Sequence, residues 1–225
     1  MTVDEVEREQ TILDAAEDLL LRLGYNKLTV GDVADATGLH RGLVYLRFKS
    51  KDSVVEAVVR RELDRYAQRW SEHLRSDPQG GSVASVYRAM AGALAQLPLA
   101  AAIIARDEPT FGKYLRKPGS FFDRAESLGT SEFLSDMQAA GVVRPEVDVH
   151  AAGYILDALT PALRQTFSTQ RAQAAASDVP TTGAMVDVLA EWLELGLTPP
   201  ADADLEAGRT VLLEGLSRAR RNLSA

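Results

Sequence analysis

The sequence predicts an all-α protein in which a small three-helix, helix-turn-helix domain precedes a larger helical domain. Apolar residues recur at spacings of three and four along the 225-residue chain, and no stretch shows a convincing period of two. Near the N-terminus, two short helical segments joined by a glycine follow a longer one, which is the pattern of a helix-turn-helix unit. We predict domains at residues 1–52 and 53–225.

The first helix is predicted at residues 3–23. Gly24 follows it, and glycine readily adopts the left-handed conformation that ends a helix. Apolar residues recur on one face of this segment, and this amphipathic pattern predicts that they are buried. They are Ile12, Leu13, Ala16, Leu19, Leu20 and Leu23.

The second and third helices are short. Thr29 is a favourable N-cap for a helix at residues 30–37, and Gly38 ends that helix. A third helix is predicted at residues 41–48. The tight glycine connection between them completes the helix-turn-helix unit.

The larger domain is predicted to contain only helices. A long helix at residues 51–76 is interrupted by the turn-forming segment DPQGGS. Further helices are predicted at residues 83–97, 99–106 and 111–115, as a pair within 120–140, and at 149–170, 182–195 and 203–222.

Residues 40–51, HRGLVYLRFKSK, are the most informative segment. They carry four positive charges and no acidic residue in a chain of net charge −7, so the remaining residues carry −11. Charges in water act over a screening length of about 8–10 Å, so a local basic surface can face a polyanion although the whole protein is acidic. This distribution points to nucleic acid.

The third helix separates into two faces. Val44 and Phe48 are four residues apart and are expected to pack against the first two helices. On the other face, Gly42 allows close approach to a major groove. Thr29 and Lys51 are placed at helix starts, where they suit phosphate contacts. The predicted DNA-binding residues are Thr29, His40, Arg41, Gly42, Leu43, Tyr45, Leu46, Arg47 and Lys51.

Different contacts are expected from these side chains. Arg41 and Arg47 can pair with guanine edges or with phosphates, whereas Leu43 and Leu46 can offer only apolar contact, for instance to a thymine methyl group. The Tyr45 hydroxyl is suited to a phosphate.

Residues 12–59 resemble the DNA-binding domain of the TetR family of bacterial transcriptional regulators. The matching features are Gly24-Tyr25, Thr29, Val33-Ala34 with Thr37-Gly38, the third helix over residues 41–48, and Lys51. The chain departs from the usual pattern at His40, Leu43, Leu46 and Arg47, which are expected on the base-facing side. The resemblance therefore implies the mode of DNA binding but not the DNA sequence.

The resemblance also implies that the larger domain binds a small-molecule effector and forms a homodimer through its late helices. Ligand pockets are mostly apolar with a few polar groups. The candidate ligand-binding residues are Tyr66, Trp70, Met90, Arg106, Phe111, Phe122 and Tyr154. The predicted helices at 149–170 and 182–195, rich respectively in small and in apolar residues, suit a helix-to-helix dimer interface.

The sequence argues against an enzyme, a metal-binding protein and a membrane protein. The chain has no cysteine, its three histidines show no metal-like spacing, and it carries no nucleophile-elbow, phosphate-binding-loop or dinucleotide-binding motif. We therefore predict no catalytic residue, no metal and no cofactor. The acidic N-terminus lacks an apolar signal segment, and the longest apolar stretch contains Gln96 and Pro98. These features predict a cytoplasmic protein with no membrane partner.

The leading prediction is a ligand-responsive transcriptional repressor that binds a near-palindromic DNA operator as a homodimer and is released by a small molecule. The alternative is a helical small-molecule sensor or adapter that acts without sequence-specific DNA binding. An enzyme is the weakest of the three.

Overall fold

The computed structural model describes residues 3–124, 130–159 and 180–224, and throughout these ranges it contains helices and no β-strand. The all-α prediction is confirmed. The helices pack into two compact units, one formed by residues 3–63 and 102–124 and the other by residues 64–101, 130–159 and 180–224. The first unit therefore extends beyond the predicted domain boundary at residue 52 and includes a later segment of the chain.

The helices of the first half are α1 (Val3–Lys27), α2 (Val30–Thr37), α3 (Arg41–Arg47), α4 (Lys51–Ser76), α5 (Val83–Gln96), α6 (Pro98–Ala105) and α7 (Glu108–Phe111). A 3₁₀ helix (Gly112–Arg116) follows, and then α8 (Phe121–Arg124), α9 (Thr130–Ala139), α10 (residues 149–159), α11 (Thr182–Leu197) and α12 (Leu205–Ser224). The rest of the predicted helix at 149–170 lies outside the described residues.

The apolar stripe of α1 forms the core of the first unit. Its buried members are Ile12, Leu13, Ala16, Leu19 and Leu20. Leu23, which we predicted to be buried with them, is 40% exposed. It lies in the last turn before α1 is interrupted at Gly24, so the covered part of the stripe ends at Leu20.

Local hydrogen bonds set the limits of α2 and α3. Thr29 and Asp32 form a reciprocal capping box, and Gly38 is left-handed, with φ of 66°. His40 caps α3 because its Nδ1 accepts a hydrogen bond of 3.2 Å from the backbone N–H of Gly42. Val44 is fully buried, and Phe48 is nearly so. The predicted helix-turn-helix unit is therefore present.

The predicted helix at residues 111–115 is a 3₁₀ helix at Gly112–Arg116, and a short α-helix that we did not predict precedes it. Arg106 has a positive φ of 51° just after α6. The Asp107 carboxylate then accepts a 2.9 Å hydrogen bond from the N–H of Thr110 and starts the short helix α7, which a 3₁₀ helix follows. The periodicity of apolar residues did not reveal this cap.

Gly24 allows α7 to lie close to α1. Its φ of 73° and ψ of 161° fall in a region that only glycine adopts readily. A Cβ atom at this position would lie 2.6 Å from the carbonyl oxygen of Pro109. Both the conformation and the close approach therefore require glycine.

The second unit is built around α5, which packs extensively on α11. Helix α12 approaches the loop before α5 closely, because a Cβ at Gly208 would lie 2.2 Å from the carbonyl oxygen of Gly81. The Arg220 guanidinium also bonds to Asp64 of α4 at 2.6 Å. The last helix is therefore an integral part of this unit.

We expect Gly24→Ala to destabilise the first unit by about 3 kcal/mol or more, because the substitution adds both backbone strain and a steric clash. Gly119→Ala is the matched control, since Gly119 also has a positive φ (72°) but a Cβ added there would have no neighbouring atom within 4 Å. Urea denaturation followed by circular dichroism measures both. If both variants lose the same free energy of unfolding, the close contact with Pro109 does not contribute to the effect.

Candidate nucleic-acid interface

Helix α3 presents an exposed apolar face. Leu43 and Tyr45 are exposed, and Leu46 is 73% exposed, whereas Val44 and Phe48 on the opposite side are buried. The division of the helix into two faces agrees with the sequence prediction. An exposed leucine and tyrosine on a seven-residue helix lower solubility without stabilising the fold, so this face is suited to contact another molecule.

Arg41 lies along α2. A Cβ atom at Gly31 would lie only 2.8 Å from the Arg41 Nη2 atom, so the absence of a side chain at Gly31 leaves room for the guanidinium. The same Nη2 lies 3.9 Å from Asp35 Oδ2. The Arg41 side chain remains 65% exposed. This weak pairing leaves Arg41 available to a phosphate or a base.

Arg47 contacts α1. Its Nε donates a 2.7 Å hydrogen bond to Oε2 of Glu9, and its Nη2 contacts the same oxygen. The Glu9 side chain is only 18% exposed and that of Arg47 is 48% exposed. The two arginines of α3 therefore lie on opposite sides of its buried face, each against a different helix.

Lys51 links the start of α4 to the end of α1. Its Nζ donates a 2.7 Å hydrogen bond to the carbonyl oxygen of Tyr25 and lies 4.1 Å from the centre of the Tyr25 ring. Burial lowers the pKa of Lys51, and the charges of Lys113 and Lys117 lower this pKa further. The ammonium group has three donors, so two remain for other acceptors.

Asp52 receives hydrogen bonds from two other segments of the first unit. Its carboxylate accepts a 2.5 Å bond from the Tyr25 hydroxyl and a charged bond from Lys117 in the loop after the 3₁₀ helix. Burial acts to raise the pKa of Asp52, but the bonds from Lys117 and Tyr25 and the nearby lysine charges together hold this pKa below its usual value. Burial and the bond to Asp52 raise the pKa of Tyr25, which remains a donor.

Aromatic packing adds to this junction. The Tyr114 hydroxyl donates a 2.9 Å bond to Glu56 of α4, and the Tyr114 ring lies 5.0 Å from that of Tyr25. Phe122 packs edge-on against Tyr114 and Phe111, with ring-centre distances of 6.1 and 5.0 Å. Sequence reasoning missed Glu56, Tyr114 and Lys117, because no local pattern indicates which distant residues they contact.

The predicted ligand-binding residues are divided between the two units. Phe111 and Phe122 belong to the first unit, where the Arg106 guanidinium carbon lies 5.8 Å from the Phe122 ring centre. Tyr66 and Trp70 belong to the second unit, with ring centres 5.5 Å apart.

The other two predicted ligand-binding residues are both in the second unit, and they differ in burial. Met90 is buried there. Tyr154 is 77% exposed, on a helix whose neighbouring residues Ile155 and Leu159 are also exposed.

A cleft of about 170 Å³ lies in the second unit, and it contains none of the predicted ligand-binding residues. Its lining is mostly polar: Gln68, Ser71, Glu72, Arg75, Leu213, Ser217 and Arg220. Among the described residues no group of three or more acidic, histidine or cysteine side chains could hold a metal ion. In the same part of the chain, no helix is both long and apolar enough to cross a membrane.

We expect Asp52→Asn to lower the free energy of unfolding at pH 7 by about 1 kcal/mol, because a partly exposed charged bond is lost. A carboxylate whose pKa is lowered on folding stabilises the protein above its unfolded-state pKa of about 3.9 and loses this effect as the pH falls. The difference between variant and wild type should therefore shrink below about pH 4.

Urea titrations at pH 7 and at pH 3 measure this difference. Asp18→Asn is the matched control, because Asp18 pairs with Arg22 on the exposed surface of α1. A constant difference at both pH values would contradict a role for the ionised Asp52.

Comparison with known proteins places the N-terminal region in a family. The family described as bacterial regulatory proteins, tetR family, matches residues 12–58. The HTH-type transcriptional repressor KstR2 of Rhodococcus jostii is 40% identical over 57 residues, which are 25% of this chain and 28% of the relative. The HTH-type transcriptional repressor Rv1474c of Mycobacterium tuberculosis is 35% identical over 60 residues, covering 27% and 32%. The matches thus span less than a third of these relatives.

Solved structures resemble the chain over most of its length. The fatty acid degradation regulator FadR of Bacillus halodurans has a TM-score of 0.54 and 16% identity, covering 83% of this chain and 94% of the other. A TetR-family regulator of Haemophilus influenzae has the same score and identity, with coverage of 88% and 100%. At these identities the likeness concerns the fold. The helix-turn-helix domain of the chain, residues 12–58, is thus similar to the tetR family of bacterial regulatory proteins.

Proposed function

We propose that this protein is a ligand-responsive transcriptional repressor that binds a near-palindromic DNA operator as a homodimer. The observation that carries the proposal is the exposed face of α3, where Leu43, Tyr45 and Leu46 face outward from a helix whose opposite side is buried. The bases of a major groove are the surface that such a helix fits. The match of residues 12–58 to the tetR family supports the same conclusion.

In a complex with DNA, the exposed residues would form two groups with different contacts. The outward residues Gly42, Leu43 and Leu46 would meet base edges, for which apolar contact favours thymine methyl groups. Residues at helix starts would meet phosphates, which fix the position of the protein on the duplex. The latter group comprises Thr29, His40, Arg41 and Lys51, together with the hydroxyl of Tyr45.

Homodimer formation is supported by exposed apolar residues in the second unit. Helix α10 exposes Tyr154, Ile155 and Leu159, and α11 exposes Val188, Trp192 and Leu195. The residues on α11 recur at four and three positions and so share one face. A dimer would bury these side chains and would place two α3 helices in successive major grooves, about 34–36 Å apart.

Release by a small molecule is supported by the fold and by the course of α4. That helix contributes Asp52 and Glu56 to the junction in the first unit, and Tyr66 and Trp70 to the second. A ligand that binds one position of α4 more tightly than another would change the orientation of α3. A structural neighbour described as a γ-butyrolactone receptor, with a TM-score of 0.53 and 18% identity over 98% of this chain, has this fold. We propose no catalytic activity and a cytoplasmic location.

We expect binding-site selection on the purified protein to recover a near-palindromic sequence. In Leu46→Ala the selected sequence should change at one position per half-site, because an apolar base contact is lost. In Lys51→Ala the affinity should fall alike for all sequences, and the slope of log affinity against log salt should decrease by about one.

Arg218→Ala, which removes an exposed positive charge from α12, is the control and should leave the affinity and the slope unchanged. Failure of the wild type to enrich any sequence would favour a sensor or adapter that acts without sequence-specific DNA binding.

We expect Trp192→Glu to weaken the dimer at least about tenfold, because aromatic anchors dominate interface energies and a buried carboxylate is unfavourable. The Trp192 side chain is 67% exposed in the single chain, so the substitution should leave the fold intact. Sedimentation equilibrium measures the dimer dissociation constant. Val6→Glu, an equivalent change at an exposed position of α1, is the control. An unchanged dimer in Trp192→Glu would exclude α11 from the interface.

A further inference from the structure

The contact between Glu9 and Arg47 joins the two ends of the helix-turn-helix unit. Glu9 lies in α1 and Arg47 is the last residue of α3, 38 positions later in the sequence. Both the Nε and Nη2 atoms of the guanidinium contact the same carboxylate oxygen. Because this pair fixes two donors of a planar group, it restrains the rotation of α3 as well as its distance from α1.

The position of Arg47 on α3 separates it from the outward face. Leu46 lies opposite the buried residue Val44, whereas Arg47 lies about 60° from Val44, on the side that faces α1 (100° per residue). A side chain at this angle that already bonds to Glu9 is poorly placed to reach a base edge. The outward residues, not Arg47, are therefore the ones that can enter a groove.

We propose that Glu9 is a positioning residue for operator binding, and that Arg47 acts through Glu9 rather than by reading a base. The inference rests on the proposed function and assigns a role to a residue that the sequence did not single out. Removing an acidic residue from a DNA-binding domain should raise DNA affinity or leave it unchanged, because phosphates repel carboxylates. Loss of a positioning carboxylate lowers the affinity instead.

The test compares Glu9→Ala with Glu7→Ala at the sequence selected by the wild type. Glu7 is exposed on the same helix, and its carboxylate makes no ion pair within the described part of the chain. Both variants lose one negative charge. We expect Glu9→Ala to weaken operator binding about fivefold to tenfold, the effect of a partly buried charged contact, and Glu7→Ala to strengthen it or leave it unchanged.

A double-mutant cycle shows whether Arg47 acts through Glu9. If it does, Arg47→Ala, Glu9→Ala and the double variant lose the same factor of affinity, and the salt slope stays at the wild-type value. If Arg47 contacts DNA itself, Arg47→Ala causes a further loss in the Glu9→Ala background. That additive result would overturn the inference, as would equal affinities for Glu9→Ala and Glu7→Ala.

Two further measurements separate positioning from general stability. Each variant is assayed at least about 20 °C below its own Tm, so that the unfolded fraction does not affect the affinity. The affinity for DNA of unrelated sequence is measured in parallel. If Glu9 is a positioning residue, Glu9→Ala lowers the affinity for the operator more than the nonspecific affinity. Equal losses for both DNAs would overturn the inference. Failure of the wild type to select any sequence would instead refute the proposed function.

Discussion

The Asp52 carboxylate lies where three parts of the first unit meet. It accepts bonds from Tyr25 at the end of α1 and from Lys117 after the 3₁₀ helix, while Asp52 itself belongs to the first turn of α4. Next to it, Lys51 bonds to the backbone carbonyl of Tyr25. A charged acceptor with two strong donors is stabilising only if all partners keep their positions. The packing of the first turn of α4 against the end of α1 therefore depends on this junction.

Residues 102–124 provide further contacts at this junction. Tyr114 bonds to Glu56 and packs on Tyr25, and α7 lies against α1 where Gly24 leaves room for it. The segment follows 38 residues that belong to the other unit. The unit that carries α3 is therefore not a contiguous piece of sequence. Tyr114 and Lys117 of this segment contact the first two turns of α4 directly, through Glu56 and Asp52.

Local signals in the sequence predicted the helix-turn-helix unit well. These signals are the Thr29 cap, the left-handed Gly38 and the buried pair of Val44 and Phe48. Each involves residues no more than four positions apart, so it can be recognised in the sequence. The contacts of Glu9 with Arg47 and of Asp52 with Lys117 join residues 38 and 65 positions apart. Many acidic and basic residues could form such pairs, and only the packing of the helices selects among them.

The exposed apolar face of α3 has a thermodynamic consequence. In the free protein, water is in contact with the apolar surfaces of Leu43, Tyr45 and Leu46. A partner that covers them releases this water, and removal of apolar surface from water gives a negative heat-capacity change. Contacts between charged side chains and phosphates do not share this signature. The enthalpy of association of this helix should thus become more favourable with rising temperature, in proportion to how completely its leucines are covered.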